Sequence, residues 1–178
     1  MITFAKKFRT RAATHFPDGL EENLEDASPD LSSVKPLPPG NPPGSVEFNG
    51  ARREARAYLE SHNWVSAIKG EYLGYRIDGV IYVFLFEFVP AKPDVPSWTW
   101  VIVGDIPSAY ISCHYAKTPY VALEGYIGAM EEWVEAAREG KSVADIIPVN
   151  VPATPAYAEM LGSRLKFLDE NVLPLLPK

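Results

Sequence analysis

Cysteine, histidine and long apolar runs are all scarce in this sequence. A single cysteine, Cys113, excludes an intramolecular disulfide, so nothing indicates an oxidising compartment. The longest apolar run, residues 79–89, is shorter than the roughly 20 residues that a membrane helix needs, and it contains Glu87. We therefore expect a protein of the cytoplasm that has no membrane partner.

Positive charge is the second shortage. The chain has 17 lysines and arginines against 23 aspartates and glutamates, which gives a net charge of −6. Nucleic-acid binding needs a basic surface that displaces counterions from phosphates, so this composition argues against a nucleic-acid partner. An acidic surface attracts basic proteins instead, and a basic protein partner is the expectation.

The common catalytic and metal-binding motifs are absent as well. The sequence has no glycine-rich phosphate loop, dinucleotide fingerprint, nucleophile elbow or zinc motif. Its three histidines, at positions 15, 62 and 114, lack the spacing of metal ligands. We therefore predict no cofactor and no metal site, while an enzyme without a common motif stays open.

Composition divides the chain into an arm and one domain. Residues 1–45 are basic at first, then acidic, and then rich in proline, a pattern typical of an extended arm or of a strap over the body. A chain of 178 residues with 47% hydrophobic content suits one core. The prediction is an N-terminal arm, residues 1–45, and a single globular domain, residues 46–178.

The first half of that domain predicts a helix and a hairpin. The helix should begin near Asn49 as its cap and end near His62. Asp78-Gly79 then predicts a tight two-residue turn between two strands. The second of these strands has aromatic side chains on one face and aliphatic ones on the other, so it should be central and covered on both sides.

The second half predicts two more strands and then helices. Strands are expected at residues 98–103 and at about 109–115. The Thr-Pro pairs at 118–119 and 154–155 each supply a helix cap followed by the proline that suits the first helical position. The predicted fold class is α+β, a curved antiparallel β-sheet of about four strands packed against two to four helices.

Three polar side chains are the candidates for catalysis. Glu87 is a lone carboxylate in the most apolar strand, so it must be paired, hydrogen-bonded, exposed at the strand end or protonated. Asp105 would form a carboxylate pair with it, for acid–base work or for a divalent ion, if both lie at one end of the sheet. His114 carries the usual side chain for proton transfer near neutral pH. The simpler interpretation of Glu87 is an exposed strand end or an arginine partner, for which the candidates are Arg52, Arg53 and Arg76.

Aromatic side chains are the candidates for ligand binding. Trp98 and Trp100 share one strand face, and Tyr110 follows on the next strand. They can line a pocket, although packing against the phenylalanines of residues 84–88 is the simpler interpretation. Cys113 and the histidine after it point to opposite faces of a strand, so they form no dyad, and we predict Cys113 to be buried.

The stretch WTWVIVGDIPSAYI, residues 98–111, resembles a family of uncharacterised bacterial proteins. Those proteins have a tryptophan-rich strand, a Gly-Asp-x-Pro turn and a tyrosine-containing strand, and the later helices with Trp133 and LGSRLKFL fit the same layout. The resemblance covers residues of about 98–170 and implies a fold pattern and a bacterial setting, but no activity. Members often have an acidic residue just before the tyrosine, whereas this chain has Ala109.

The Gly-Asp-Ile-Pro break is explained by a turn. Gly104 can end a strand, the Asp105 side chain can accept hydrogen bonds from backbone amides, and Pro107 fixes the entry to the next strand. A catalytic site would account for Asp105 alone.

Two functions from different classes are compatible with these observations. The first is a non-catalytic binding protein of the bacterial cytoplasm, similar in size and acidity to a toxin-neutralising immunity protein, which would use the arm, the 90–97 loop and an acidic face. The second is a small enzyme or ligand-binding protein with an acidic and aromatic cleft around Glu87 and Asp105. A homodimer through the two-sided apolar sheet fits either function.

Overall fold

The computed structural model describes residues 28–40 and 44–178. Its centre is a five-stranded antiparallel sheet in which neighbouring strands follow the chain order. The predicted α+β class is confirmed, and the additional strand, β1, comes from the proline-rich arm. Residues 1–27 and 41–43 of the predicted arm lie outside the described residues. The strands are β1 (Lys35–Pro36), β2 (Val65–Ile77), β3 (Ile81–Pro90), β4 (Trp98–Gly104) and β5 (Ile106–Ser112).

The hairpin of β2 and β3 is confirmed, but its loop has three residues between the paired residues Ile77 and Ile81. Gly79 has φ 75°, a conformation that favours glycine, and the amide of Val80 donates to the carbonyl of Ile77 at 3.0 Å. The loop is thus one residue longer than predicted, and the carbonyl of Val80 accepts from the amide of Asp105 at 3.1 Å. The hairpin loop and the β4–β5 turn are thereby joined.

In the described residues three α-helices flank the sheet, and their caps show which sequence signals predict helix starts. Helix α1 (Val46–Glu60) is capped by Ser45, whose hydroxyl accepts from the amide of Phe48 at 3.1 Å. The predicted cap, Asn49, is wrong because it already lies inside the first turn and its amide donates to the carbonyl of Ser45.

The two Thr-Pro starts are confirmed. Helix α2 (Pro119–Arg138) is capped by Thr118, and helix α3 (Pro155–Phe167) is capped by Thr154. The chain continues from α3 through one turn of π-helix, Leu168–Val172, and one turn of 3₁₀ helix, Leu173–Leu175. In the described part of the chain, no helix combines the length and the apolar character needed to cross a membrane.

The sheet is covered on both faces, as the two-sided apolar pattern of β3 predicts. Helix α1 packs on one face and forms a core with the aromatic side chains of β3. Helices α2 and α3 cover the other face and pack on the aliphatic side chains of β3. Burial of each large side chain stabilises the fold by about 1.5–3 kcal/mol. On β3 the first face carries Tyr82, Phe84, Phe86 and Phe88, and the second carries Ile81, Val83 and Leu85.

Residues 28–40, called the strap below, cross the edge of the sheet. At its start, the amide of Asp30 donates to the carbonyl of Lys117 just before α2, at 2.8 Å. Strand β1 then pairs with Tyr72 and Leu73 of β2, and Pro36 is tolerated there because the strand lies at the edge. The strap continues on the α1 side of the sheet, so it connects the two faces.

Candidate functional site

The two carboxylates that the sequence singled out lie far apart. Asp105 follows Gly104, which pairs with Ile81 at the start of β3, whereas Glu87 pairs with Trp98 near the other end of that strand. Glu87 is six steps along the strand from Ile81, which corresponds to roughly 20 Å at about 3.3 Å per residue. The structure therefore does not bring Glu87 and Asp105 together as a carboxylate pair.

Asp105 belongs to a turn and to an ion pair. Gly104 has φ 149°, and a Cβ at this position would collide with the carbonyl oxygen of Val80, so the turn requires glycine. The side chain of Asp105 accepts from Arg164 of α3, with 3.0 Å between Nε and Oδ2. The turn interpretation is thus confirmed for Gly104, but the expected bonds from backbone amides to the Asp105 side chain are replaced by an arginine.

Glu87 is half-buried on the α2 side of the sheet, beside Tyr72 and Trp98. Among the described residues no arginine or lysine pairs with it. Of the proposed partners, Arg52 binds Glu71 and Arg76 pairs with Asp78, so the arginine-pair interpretation is wrong for Glu87. Two arginines of α1, Arg52 and Arg56, bind Glu71 instead.

The aromatic candidates occupy opposite faces of the sheet. Trp100 is opposite Leu85, is fully buried on the α2 side, and donates from Nε1 to the carbonyl of Ala116 at 2.8 Å. The expected packing of the tryptophans on phenylalanines is wrong, because the phenylalanines of β3 point towards α1. Trp98 packs on Tyr72 instead, with 5.6 Å between ring centroids.

Tyr110 lies on the α1 side, where its ring contacts His62 and Trp64 at centroid distances of 5.3 and 5.1 Å. Burial, with a smaller effect of Tyr58, raises the pKa of Tyr110 to about 12, so its hydroxyl stays protonated at neutral pH. Because Trp100 and Tyr110 are separated by the sheet, the six candidate residues do not line one cleft.

The last candidate, His114, and its neighbour Cys113 lie just beyond β5. Cys113 is fully buried, which confirms the prediction, and burial raises the pKa of its thiol far above the ordinary value. The ring of His114 packs edge-on against Tyr115 with 4.8 Å between centroids, and its backbone amide donates to the Ser112 hydroxyl. The buried thiol of Cys113 keeps its proton, so Cys113 is a packing group and a poor nucleophile.

A cluster that the sequence analysis missed lies between α1, β2 and the strap. Arg52 binds Glu71 with 2.6 Å between Nε and Oε2, and Arg56 contacts the other carboxylate oxygen. Arg52 also donates to the carbonyls of Pro38 and Gly40 at 2.8 and 3.0 Å. The available signal was the arginine repeat at 52, 53 and 56 on one predicted helix.

Two depressions adjoin these ion pairs. The first, which we call the arginine cleft, has a volume of about 540 Å³, and the second, at α3, has a volume of about 310 Å³. The arginine cleft is lined by Leu37, Pro39, Gly40, Arg52, Arg53, Arg56, Ile68, Lys69, Gly70 and Glu71. The α3 depression is lined by Gly79, Val80, Asp105, Ile106, Ser163, Arg164, Phe167 and Leu168.

Within residues 28–40 and 44–178, histidine, cysteine and acidic side chains form no group of three or more that could hold a metal ion. Comparisons of the chain with protein-family models, with curated proteins and with solved structures find no match. The geometry of the described residues is therefore the basis for a proposed function.

Proposed function

We propose that this protein is a non-catalytic binding protein whose partner is another protein, and that the contact is made by an exposed apolar surface on α3. The observation that carries the proposal is the exposure of Tyr157, Met160 and Phe167, at 40%, 54% and 49%. Their spacing places them along one side of the helix. These three residues are called the α3 surface below.

Of the nine large apolar side chains that are exposed in the described residues, three belong to the α3 surface. Large side chains exposed together, next to a depression, are typical of contact sites. Phe167 both belongs to the surface and lines the depression of about 310 Å³, together with the Asp105–Arg164 ion pair. The depression can accept an apolar side chain of the partner, while the ion pair supplies a polar rim.

The charge of the chain indicates the kind of partner. With a net charge of −6, the protein attracts basic polypeptides at long range and repels acidic ones. In its most specific form, the proposal is that the partner is a basic toxin of the bacterial cytoplasm and that this protein neutralises it as an immunity protein does. That form rests on size and acidity, which are shared with immunity proteins as an analogy of kind.

The alternative, a small enzyme or ligand-binding protein with a cleft around Glu87 and Asp105, receives less support from the geometry. The two carboxylates are separated by most of the length of β3, and Asp105 is already bound by Arg164. Acid–base work by a pair of carboxylates requires both of them within reach of one substrate. The binding function is therefore preferred.

The test is capture of partners from native cell extract at low salt by three tagged proteins: wild type, Met160→Gln/Phe167→Gln, and the control Leu31→Gln/Val151→Gln. The control changes two other exposed apolar residues. We expect one basic polypeptide in stoichiometric amount on the wild type and the control, and its loss from the α3 variant. Glutamine suits a helix, so α3 should persist, which circular dichroism checks.

Two results would contradict the proposal. Retention of the same polypeptide by the α3 variant would show that the contact lies elsewhere. A wild-type dimer that becomes a monomer in the α3 variant, as measured by light scattering, would show that the α3 surface serves self-association.

A further inference from the structure

A second binding site, independent of the α3 surface, is indicated by the charges of the arginine cleft. Its lining contains four cationic side chains, Arg52, Arg53, Arg56 and Lys69, and one carboxylate, Glu71. Such a surplus of positive charge is unexpected in a chain of net charge −6. It also places three arginines within about one turn of α1, where like charges repel each other.

Part of this charge has a structural use. Arg52 and Glu71 are almost completely buried, and a buried ion needs a partner with good hydrogen-bond geometry. The guanidinium group of Arg52 donates hydrogen bonds to Glu71 and to the strap carbonyls of Pro38 and Gly40. Arg56 contacts Glu71 and also Glu60, with 3.0 Å between Nε and Oε1. These contacts close one wall of the cleft and fix the strap.

The remaining charge has no such use. Within the part of the chain that the structure describes, neither Arg53 nor Lys69 makes an ion pair or a side-chain hydrogen bond. The strap is held by Arg52, by the pairing of β1 with β2 and by backbone hydrogen bonds, none of which involves Arg53 or Lys69. Arg53 and Lys69 therefore add two cations to a concave site that is also lined by the apolar side chains of Leu37 and Ile68.

We infer that the arginine cleft binds a small molecule with an oxyanion, either a phosphate or a carboxylate. Guanidinium groups match the oxygens of both anions with paired, charge-assisted hydrogen bonds, and the Lys69 ammonium adds a third cation. The anion lies among Arg53, Arg56 and Lys69, and the apolar part of the molecule lies against Leu37 and Ile68. Because the buried Arg52–Glu71 pair holds the surrounding strap and helix in place, the site is formed before the ligand arrives.

The test measures the affinity of the full chain for pyrophosphate and, separately, for citrate by isothermal titration calorimetry. Sodium chloride keeps the ionic strength constant. The site variant is Arg53→Gln/Lys69→Gln, and the control is Lys92→Gln/Lys166→Gln, which removes the same charge from exposed positions elsewhere. We expect saturable 1:1 binding of at least one anion, weakened about tenfold or more in the site variant and unchanged in the control.

The two anions distinguish the chemistry of the ligand. Binding of pyrophosphate alone would assign a phosphorylated ligand, and binding of citrate alone would assign a carboxylate. Binding of neither anion, or an equal loss of affinity in the site variant and the control, would overturn the inference. Capture of a protein by the α3 surface is measured separately, so the two proposals fail independently.

Discussion

Two of the arginine–carboxylate pairs connect distant elements of this fold and differ in burial. Arg52 and Glu71 are joined at 2.6 Å with side chains exposed by 8% each, whereas Arg164 and Asp105 are joined at 3.0 Å with side chains exposed by 40% and 69%. The first pair connects α1, β2 and the strap. The second connects α3 to the turn between β4 and β5.

The comparison shows that similar contacts have different consequences. A buried ion that loses its partner stays in a poorly solvated place, whereas an exposed one returns to water. Arg52 also binds two carbonyls of the strap, so its loss affects backbone as well as side chains. We therefore assign the buried pair to stability and the exposed pair to the rim of a contact surface.

The largest expected effect is that of Glu71→Ala, which leaves Arg52 buried without its carboxylate. The free energy of unfolding should fall by about 3–5 kcal/mol, measured by urea denaturation. The matched control is Arg52→Met/Glu71→Leu, which removes both charges and should cost much less than the single change. If Glu71→Ala lowers the free energy of unfolding by less than about 1 kcal/mol, the Arg52–Glu71 pair contributes no more than an exposed ion pair does.

Arg52→Lys should have the next largest effect. Lysine keeps the charge but lacks the fork that reaches Glu71 and the strap carbonyls together, so we expect a loss of about 2 kcal/mol. The amide of Leu37, which donates to the carbonyl of Glu71 at 2.8 Å, should then exchange its hydrogen faster. Exchange at the wild-type rate would mean that β1 pairing alone holds the strap.

Asp105→Asn should change the free energy of unfolding by less than about 1 kcal/mol, because both members of this pair are exposed to water. The same measurement at high salt should give a still smaller difference, since salt screens exposed pairs. The conservative change leaves Gly104 and its turn intact. A loss comparable to that of Glu71→Ala would contradict the contrast between the two pairs.

The smallest effect concerns Glu131, a partly exposed carboxylate of α2. Burial, and then the charge of Asp169, raise the pKa of Glu131 above its ordinary value of 4.5. The folded state therefore holds this proton more tightly than the unfolded state, and the resulting stability is lost as the pH rises through the folded pKa.

Glu131→Gln should accordingly be more stable than wild type at pH 7, by well under about 1 kcal/mol because water screens a partly exposed group, with no difference at about pH 3.5. Urea denaturation at both pH values gives the comparison. Lower stability of Glu131→Gln at pH 7 would mean that the carboxylate has a favourable partner.

Local signals account for the parts of the fold that the sequence predicts well. Gly79 takes a positive φ in the hairpin loop, which the Asp-Gly pair predicts from sequence alone. Each Thr-Pro pair starts a helix through contacts within four residues. The central position of β3 follows from its own two apolar faces. These features depend on neighbours in sequence and need no knowledge of distant partners.

Features that depend on register could not be predicted in this way. Strand β2 has irregular pairing between Ile68 and Gly70 and again between Leu73 and Tyr75, which interrupts the alternation that would show where Glu71 points. Likewise, the sequence of the loop after β3 does not show that Trp100 pairs with Leu85. The sequence therefore predicts the wrong face of the sheet for the tryptophans. Lys35 and Pro36 form a strand only because the edge of β2 is beside them.

The central claim, that the α3 surface binds a protein partner, is tested most directly by the amount of the basic polypeptide retained on Met160→Gln/Phe167→Gln relative to wild type. We predict that the retained amount falls about tenfold or more, since a few anchor residues carry most of the energy of an interface. The far-ultraviolet circular dichroism spectrum should stay that of the wild type. Undiminished retention by this folded variant would contradict the claim.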